Sequence, residues 1–216
     1  MVLTLYGNSY SPCAKRVAQV LVEKQVPFKV VIIDFKKGEQ KAASFVEMQP
    51  FGQVPLLDDD GYFIYESRAI ARYIAEKYAD QGTPLIPKDL RARGLFEQAL
   101  SIELNDFDAY ISPPVHEVIF KPFRGLTPDR EAFDQMVIQL EAKLDVYEKI
   151  LSKQKYLAGD ELTLADLFHL PYGVLLGPAG SNALDTPKRP NLSRWFKELV
   201  ARPSWQAVKD EFKSME

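Results

Sequence analysis

Met48-Gln49-Pro50-Phe51-Gly52-Gln53-Val54-Pro55 is the stretch of this chain that decides its fold. Two prolines and a glycine flank one aromatic residue, and the apolar pair Leu56-Leu57 follows at once. Because proline cannot donate a backbone hydrogen bond, Pro55 belongs at the edge or at the start of a strand. X-Pro bonds in tight turns are also the usual place for a cis peptide bond. A cis Val54-Pro55 bond would leave the amide and carbonyl of Val54 free to pair with an extended peptide. An ordinary loop that enters a strand is the alternative.

Strand and helix patterns alternate on both sides of this loop. The serine-proline pair Ser11-Pro12 predicts a helix start, with serine as the N-cap and proline at the first helical position. The nearly continuous apolar run 28–33 predicts a strand covered on both faces, and Asp58-Asp59-Asp60-Gly61 predicts a hairpin turn. Further strands are predicted at 2–6, from 56 and at 62–65, and further helices at 44–48 and from 66. This β-α-β-α-β-β-α order is that of a thioredoxin-like α/β domain.

The pattern beyond residue 90 is helical throughout. Gln81-Gly82-Thr83-Pro84 is rich in turn residues, so we predict a thioredoxin-like domain over 1–80, a linker over 81–90 and an all-α domain over 91–216. A long helix is expected from 91 to about 110, ending before Pro113-Pro114. Thr127-Pro128 is expected to cap the next helix. Thr163, with an acidic residue three positions later, is expected to form a capping box.

Composition excludes several classes of protein. The chain has 216 residues, with 46% hydrophobic and 26% charged, as in a globular protein. A net charge of −3 argues against nucleic-acid binding. The single cysteine, Cys13, allows no intrachain disulfide, and neither His116 nor His169 has metal-ligand spacing, so no metal is expected. No apolar run reaches the ~20 residues that a membrane span needs, and the start lacks a signal-peptide pattern. We therefore expect a cytoplasmic protein without membrane contact.

Two helix starts carry residues with anion-binding chemistry. A serine hydroxyl at position 11 would lie at a helix N-terminus, where the dipole and a hydrogen bond both stabilise negative charge. Ser67 would offer a second such position for a carboxylate, and Glu66 beside it could accept from an ammonium group. On local sequence alone, plain helix capping is the favoured explanation of each pattern, so the assignment depends on the rest of the chain.

These motifs together resemble one family. In order and spacing the chain is similar to the phi class of cytosolic glutathione transferases over nearly its whole length. The segments that carry the resemblance are Ser11-Pro12-Cys13-Ala14-Lys15-Arg16-Val17, Lys37-Gly38-Glu39-Gln40-Lys41, Gln49 to Pro55, Glu66-Ser67-Arg68-Ala69-Ile70, Tyr73-Ile74-Ala75-Glu76-Lys77-Tyr78, Tyr156-Leu157-Ala158-Gly159-Asp160, Leu162 to Asp166, Arg189-Pro190-Asn191 and Arg202-Pro203-Ser204-Trp205.

The resemblance implies a glutathione transferase fold and glutathione as co-substrate. By it, Ser11 is the hydroxyl that activates the thiol, which has a pKa of about 8.5 when free. The backbone of Val54, next to Pro55, would pair with the tripeptide, and Gln53 would lie near its γ-glutamyl end. Glu66 and Ser67 would bind the γ-glutamyl group. Gln40 and Lys41 would bind the glycyl carboxylate.

The resemblance also implies a second binding site and a dimer. The electrophile pocket is expected between the domains. Its candidate residues are Asn8, Tyr10, Pro12, Tyr110, Ile111, His116, Phe120 and Phe123. Phe51 resembles an aromatic residue that packs into a partner subunit, so a homodimer is expected. The implied activity is conjugation of glutathione to small hydrophobic electrophiles, together with reduction of organic peroxides.

Departures from the family pattern leave alternatives open. Gln40 stands where phi sequences often have histidine, and glutamine cannot become cationic. Zeta-class enzymes have a Ser-Ser-Cys motif where this chain has Ser-Pro-Cys, so an isomerase of that class is an alternative. Cys13 could serve in thiol transfer, although burial as a small apolar residue is the expectation. A non-catalytic carrier of hydrophobic ligands is the other alternative. Loss of conjugation only in a Ser11 variant would support the transferase, loss in a Cys13 variant would indicate thiol chemistry, and no turnover at all would leave the carrier.

Overall fold

The computed structural model describes residues 2–215, which form two compact units. The first unit runs to Leu85 and takes in the chain again from Pro203 onward. The second unit is Ile86–Arg202. The bounds of the elements differ by only one or two residues from most of those that the sequence predicts.

The first unit is a four-stranded sheet with helices. Its elements in order are β1 (Leu3–Gly7), α1 (Pro12–Glu23), β2 (Phe28–Ile32), a 3₁₀ turn (Glu39–Lys41), α2 (Ala43–Met48), β3 (Leu56–Asp59), β4 (Tyr62–Tyr65), α3 (Ser67–Lys77) and, after the second unit, α10 (Pro203–Val208). The sheet order is β2-β1-β3-β4, with β1 parallel to β2 and the other pairs antiparallel. This mixed sheet confirms the thioredoxin-like prediction.

The core of this unit follows the apolar patterns. Val17, Val20 and Leu21 lie on one stripe of α1 and are fully buried. A second cluster joins Phe45 of α2 to Leu56 at the start of β3. The hairpin between β3 and β4 turns at Asp60 and Gly61, which both have positive φ. Such a turn matches the twist of the two strands.

Strand β2 is less covered than its sequence predicts. Val31 and Ile32 are 39% and 55% exposed, so the prediction of a strand buried on both faces is wrong for its second half. The reason is that β2 is the edge strand of the sheet, where flanking elements cover the chain only partly. The apolar run alone does not distinguish an edge strand from a central one.

The end of the chain belongs to the first unit. The sequence placed everything from 91 to 216 in the helical domain, but α10 packs against α1 and the segment after it reaches β2. Ser204 donates to the buried carboxylate of Glu23 at 2.6 Å. The predicted boundary is therefore corrected, because this contact joins positions 181 residues apart and leaves no trace in local sequence.

The second unit is helical. Its elements are α4 (Leu90–Ile102), a π-helical segment (Glu103–Asp108), α5 (Ala109–Val115), a second π-helical segment (His116–Phe120), a 3₁₀ turn (Pro122–Arg124), α6 (Arg130–Leu151), α7 (Leu164–Leu167), α8 (Leu170–Ala179) and α9 (Pro190–Val200). Helix α5 packs against both α6 and α8.

Two predictions for this unit need correction. The first long helix does not end before Pro113-Pro114, since both prolines lie inside α5. The π-helical segments on either side of α5 change the hydrogen-bond spacing of the helix. The N-cap of α6 is Asp129, whose carboxylate accepts from the Ala132 amide at 3.0 Å, and not the predicted Thr127.

The capping box at Thr163 is confirmed and extends beyond its helix. The carboxylate of Asp166 accepts from the amide and the hydroxyl of Thr163 at 3.0 and 3.1 Å. It also accepts from the Leu157 amide at 3.0 Å and the Trp195 indole at 2.9 Å. Burial raises the pKa of Asp166, while these donors act against that shift. The box therefore ties α7 to α9 as well as starting α7.

Candidate active site

Ser11 is the N-cap of α1, as predicted. Its backbone is extended, with φ −87° and ψ 116°, and Pro12 occupies the first helical position. The Ser11 hydroxyl oxygen accepts from the Ala14 amide at 3.2 Å, and its side chain is partly exposed. Among residues 2–215 the hydroxyl hydrogen is not donated to any group. Ser11 therefore presents a donor at the positive end of a twelve-residue helix.

The loop before Ser11 is held by Asn8. The Asn8 side-chain amide donates to the Ile33 carbonyl at 3.0 Å and accepts from the Tyr10 amide at 2.9 Å. The Asn8 carbonyl accepts from the Ser11 amide at 2.8 Å. These bonds occupy the polar atoms of Asn8, so in this structure its amide shapes the loop. Tyr10 is 77% exposed and Pro12 is buried.

The proline loop presents the backbone of Val54. The Val54-Pro55 bond is cis. In the part of the chain that the structure describes, no backbone hydrogen bond engages the amide or the carbonyl of Val54. Gln53 is exposed, and its amide donates to the Gln49 side chain at 3.2 Å. The side chain of Gln49, which the sequence analysis left without a role, therefore supports the loop from inside.

The 3₁₀ turn that carries Gln40 and Lys41 packs on the same loop. The Lys41 ammonium donates to the Phe51 carbonyl at 2.8 Å. Gly52 has φ +58°, and a Cβ at this position would lie 2.7 Å from the Gln40 carbonyl oxygen. Only glycine permits this approach. The Gln40 side-chain oxygen is buried and has no partner within residues 2–215.

Glu66 and Ser67 meet at the start of α3. Glu66 has φ +69°, which is a strained conformation for a residue with a side chain, and its carboxylate makes no capping bond. Ser67 is 6% exposed, and its hydroxyl oxygen accepts from the Arg16 guanidinium at 2.9 Å. Backbone strain of this kind concentrates at functional sites.

Arg16 is the functional candidate that the sequence analysis missed. It is 1% exposed, and it reaches from the first turns of α1 to the first residue of α3. The same guanidinium lies 3.6 Å from the sulfur of Cys13. Cys13 is only partly buried, so the expectation of a buried apolar cysteine is corrected. One signal could have pointed to Arg16: it lies one turn before the buried residue Val20 on the same side of α1.

The remaining candidates for the electrophile pocket lie in the second unit and have mixed environments. His116 stacks on Phe120 with ring centres 4.9 Å apart, and its Nε2 lies 3.3 Å from the Tyr172 hydroxyl. Burial, together with the positive charge of Arg124, lowers the pKa of His116. Tyr110 lies under the ammonium of Lys143 at 4.6 Å.

Two further candidates for the electrophile pocket, Ile111 and Phe123, differ in their exposure. Ile111 is fully buried in the helical core and offers no accessible surface in this structure. Phe123 is 78% exposed. The structure thus brings His116 and Phe120 together and leaves Ile111 within the core.

The described residues offer neither a metal-binding cluster nor a membrane-spanning helix. Within residues 2–215 no group of three or more histidine, cysteine, aspartate or glutamate side chains is placed to hold a metal ion. No helix in the same range is long and apolar enough to cross a membrane.

Comparison with known proteins decides the family. Residues 1–76 match the model of the glutathione S-transferase N-terminal domain, and residues 107–203 match that of the C-terminal domain. This chain belongs to the glutathione S-transferase family. It is 44% identical to glutathione S-transferase hmp2 of Hypomyces subiculosus, over 95% of this chain and 96% of that protein. It is 41% identical to glutathione S-transferase F11 of Arabidopsis thaliana, over 96% and 97%.

Solved structures give the same result at the level of fold. Glutathione transferase F7 of Populus trichocarpa superposes with a TM-score of 0.91 at 38% identity, covering 96% of this chain and 97% of that one. Together with the F-type relatives it confirms the phi class and the predicted fold. A maize relative, 34% identical with a TM-score of 0.87, was solved with an atrazine glutathione conjugate. Glutathione conjugation is the activity that this membership supports.

Proposed function

We propose that this glutathione transferase is of the serine type and conjugates glutathione to small hydrophobic electrophiles through Ser11. The observation that supports the proposal most is the hydroxyl hydrogen of Ser11, which is not used at the start of α1. The Ala14 amide occupies one lone pair of the hydroxyl oxygen and so polarises the O–H bond toward an incoming anion.

The chemistry that Ser11 must supply is ionisation of a thiol. A free thiol with a pKa of about 8.5 is only a few per cent ionised at neutral pH. A charge-assisted hydrogen bond and the helix dipole each favour the thiolate. Lowering the thiol pKa by about two units would make roughly three-quarters of the bound glutathione ionised at pH 7. Attack on an electrophile then needs little beyond proximity.

The γ-glutamyl end of glutathione is assigned to the start of α3. Arg16 occupies a lone pair of the Ser67 hydroxyl, which leaves its hydrogen free to donate to the substrate carboxylate. The first amides of α3 lack side-chain caps and favour the same negative group. The exposed carboxylate of Glu66 suits the substrate ammonium. The side-chain amide of Gln53 suits the same end of the tripeptide.

The rest of the tripeptide is assigned to the proline loop and the 3₁₀ turn. The free amide and carbonyl of Val54, next to Pro55, suit antiparallel pairing with the cysteinyl residue. The buried oxygen of Gln40 is an acceptor for a glycyl amide hydrogen. Lys41 uses one of its three hydrogens on Phe51, and the others can meet the glycyl carboxylate.

The electrophile side is assigned to the aromatic candidates with accessible surface. These are Tyr10, Tyr110, His116, Phe120 and Phe123. Their apolar faces favour hydrophobic electrophiles and organic peroxides without selecting one compound.

A homodimer and a cytoplasmic location complete the proposal. Phe51 is 61% exposed and packs edge-on against Tyr65, with ring centres 6.1 Å apart. On the neighbouring strand Tyr62 and Phe63 are 55% and 39% exposed, so an apolar surface surrounds it. The free, partly accessible thiol of Cys13 suits a reducing compartment.

The experiment compares conjugation of glutathione to a chloro-nitroaromatic by four proteins. We expect Ser11→Ala to lower kcat/KM about 3- to 25-fold at pH 7, because the ionised fraction of the bound thiol falls by that factor when its pKa rises by one to two units from about 6.5. Ser11→Thr keeps a hydroxyl and the cap, so it should retain most activity. Cys13→Ser should match the wild type.

Each of the other outcomes removes the proposal. Loss of turnover in Cys13→Ser alone would assign the chemistry to thiol transfer. Absence of turnover in the wild type, with retention of the aromatic ligand, would assign a carrier. Isomerase activity without conjugation would assign the zeta-like alternative.

A further inference from the structure

Residues 214 and 215 pair with the outer edge of β2. Phe28 and Met215 exchange two backbone hydrogen bonds, at 2.9 and 2.8 Å. The Val30 amide donates to the Ser214 hydroxyl at 2.9 Å. We call residues 209–215 the C-terminal strap. It covers part of the exposed edge of β2, which would otherwise carry unpaired backbone groups.

The strap is bonded to the chain on both sides of Ser11. The Phe212 amide donates to the Ser9 hydroxyl at 3.2 Å. The Lys15 ammonium donates to the Lys209 carbonyl. Ser9 lies two residues before Ser11, and Lys15 lies four residues after it. The strap therefore fixes the end of the loop and the first turn of α1 relative to the same segment.

The Phe212 ring fills the space beneath this junction. It is 2% exposed, and a Cβ placed on Gly7 would lie 3.5 Å from the ring. The same Cβ would lie 3.0 Å from that of Ala14, the residue whose amide donates to Ser11. The end of β1, the first turn of α1 and the strap thus meet in one contact. Removal of the ring would leave a cavity there.

Lys15 shows that the contact is also electrostatic. Burial lowers the pKa of the Lys15 ammonium, and the negative charge of Asp210 in the strap acts against that shift. The strap thus supplies both an acceptor and a carboxylate to a partly buried cation near the start of α1. These contacts favour one position of the start of α1 relative to the strap.

We propose that the C-terminal strap is a positioning element for the Ser11 hydroxyl, acting through Ser9 and Phe212. The proposal rests on the role proposed above for Ser11. Hydrogen-bond strength depends steeply on geometry, and a catalytic group must be held within about 0.5 Å. A loosened strap therefore weakens ionisation of the bound thiol, whereas the residues assigned to the tripeptide backbone keep their own supports.

The test uses Ser9→Ala and Phe212→Ala in the full chain, with Lys213→Ala as the control. Lys213 is a strap residue whose side chain is 77% exposed and pairs only with Glu211 on the surface of the described chain. Two quantities are measured: the pKa of bound glutathione by ultraviolet absorption of the thiolate, and the Kd of S-methylglutathione, which has no thiol to ionise. We expect the thiol pKa to rise by about 0.5 to 1 unit in both variants. The Kd should stay within about twofold, and Lys213→Ala should match the wild type in both quantities.

Conservative variants separate positioning from general damage. Phe212→Leu refills most of the cavity, and Ser9→Thr restores the acceptor, so each should return the thiol pKa toward the wild-type value. Ser9→Ala removes no packed ring, so it tests the proposal even if Phe212→Ala does not fold.

Two results would overturn the strap proposal alone. One is an unchanged thiol pKa in Ser9→Ala and in the folded Phe212 variants, while Ser11→Ala raises it. The other is a loss of S-methylglutathione affinity as large as the loss of thiolate. An unchanged thiol pKa in Ser11→Ala would instead overturn the role of Ser11, and the strap proposal would fall with it.

Discussion

The hydroxyl group of Ser11 caps α1 and, in the proposed function, also donates to the substrate. Its lone pair satisfies an amide at the start of α1, a contribution of about 1 kcal/mol to stability. In the proposed function its hydrogen donates to the substrate sulfur, where each unit of thiol pKa shift corresponds to about 1.4 kcal/mol. The two tasks do not compete, because they use opposite sides of the hydroxyl group. This is why a residue that looks like a plain cap in the sequence is also suited to catalysis.

Arg16 is expected to control binding of glutathione more than its ionisation. Arg16→Lys removes the planar fork that reaches Ser67, and lysine rarely reproduces such geometry. We predict that KM for glutathione rises about tenfold, as expected for the loss of about 1.4 kcal/mol of binding. The thiol pKa in the complex should change little. Steady-state kinetics and ultraviolet titration measure the two effects.

Ser67→Ala provides the matched control for this prediction. If Arg16 acts by orienting the Ser67 hydroxyl, the double variant should bind glutathione about as well as the weaker single variant. Fully additive losses of affinity would contradict a shared action.

For single residues the sequence predicted the cap at Ser11 and missed the bond between Arg16 and Ser67. Ser11 was expected as an N-cap from its neighbour Pro12, and that signal is local. The bond between Arg16 and Ser67 joins residues 51 positions apart. A basic residue on a helix is usually solvated, and its place one turn before Val20 was the one local signal that distinguished Arg16 from the surface lysines.

The carboxylate of Asp59 links helix α3 to the hairpin. Asp59, at the end of β3, accepts from the Tyr73 hydroxyl and the Lys77 ammonium. Burial disfavours the charge on Asp59, but these two donors outweigh it and hold its pKa below the usual value of 3.8. The start of α3 carries Glu66 and Ser67, so this contact also steadies the two residues proposed to bind the γ-glutamyl group.

We predict that Asp59→Asn lowers the free energy of unfolding by about 2 kcal/mol at pH 7, the usual size for hydrogen bonds to a charged group. Because the folded pKa lies below the unfolded one, ionised Asp59 adds stability above pH 4. That contribution is lost as the pH falls through the folded pKa. The difference between variant and wild type should therefore shrink below about pH 4. Urea unfolding at pH 7 and pH 3 measures it, and an equal difference at both values would contradict the assignment.

At the scale of elements, hairpins and capping boxes were predictable, and the course of the long helix was not. In the hairpin turn the Gly61 amide donates to the Asp58 carboxylate, and in the capping box the Thr163 amide donates to Asp166. Each bond joins residues three positions apart, so the local sequence contains the whole signal. The continuation of helix through Pro113 depends on π-helical segments before and after it. The sequence gives no periodicity that distinguishes such segments from ordinary helix.

For the whole molecule, the least predictable feature is the return of the chain to the first unit. The helix pattern of α10 resembles that of the helices before it, so composition placed it in the helical domain. Helix α10 packs on α1, and the strap after it bonds to β2, although both partners precede them by more than 170 residues. Contacts of that length are set by the folded surface and have no local pattern.

Dimer formation is expected to depend on Phe51. Phe51→Ser removes an aromatic side chain that is 61% exposed. We therefore expect this variant to shift from dimer toward monomer. Phe123→Ser is the matched control, since Phe123 is 78% exposed and outside the proposed surface. Sedimentation at micromolar concentration should show a dimer for the wild type and the control. A monomeric wild type, or a fully dimeric Phe51→Ser, would contradict the proposal.

The ionisation of bound glutathione tests the account most directly. In ultraviolet titration of the complex, the wild-type thiol should titrate about two units below its free pKa of about 8.5. Ser11→Ala should return the value toward the free one. Ser11→Asp should raise it further, because it keeps a cap but brings a like charge to the sulfur. Two results would contradict the proposal that Ser11 ionises the bound thiol. One is a wild-type complex that titrates like free glutathione, and the other is a Ser11→Ala complex that titrates like the wild type.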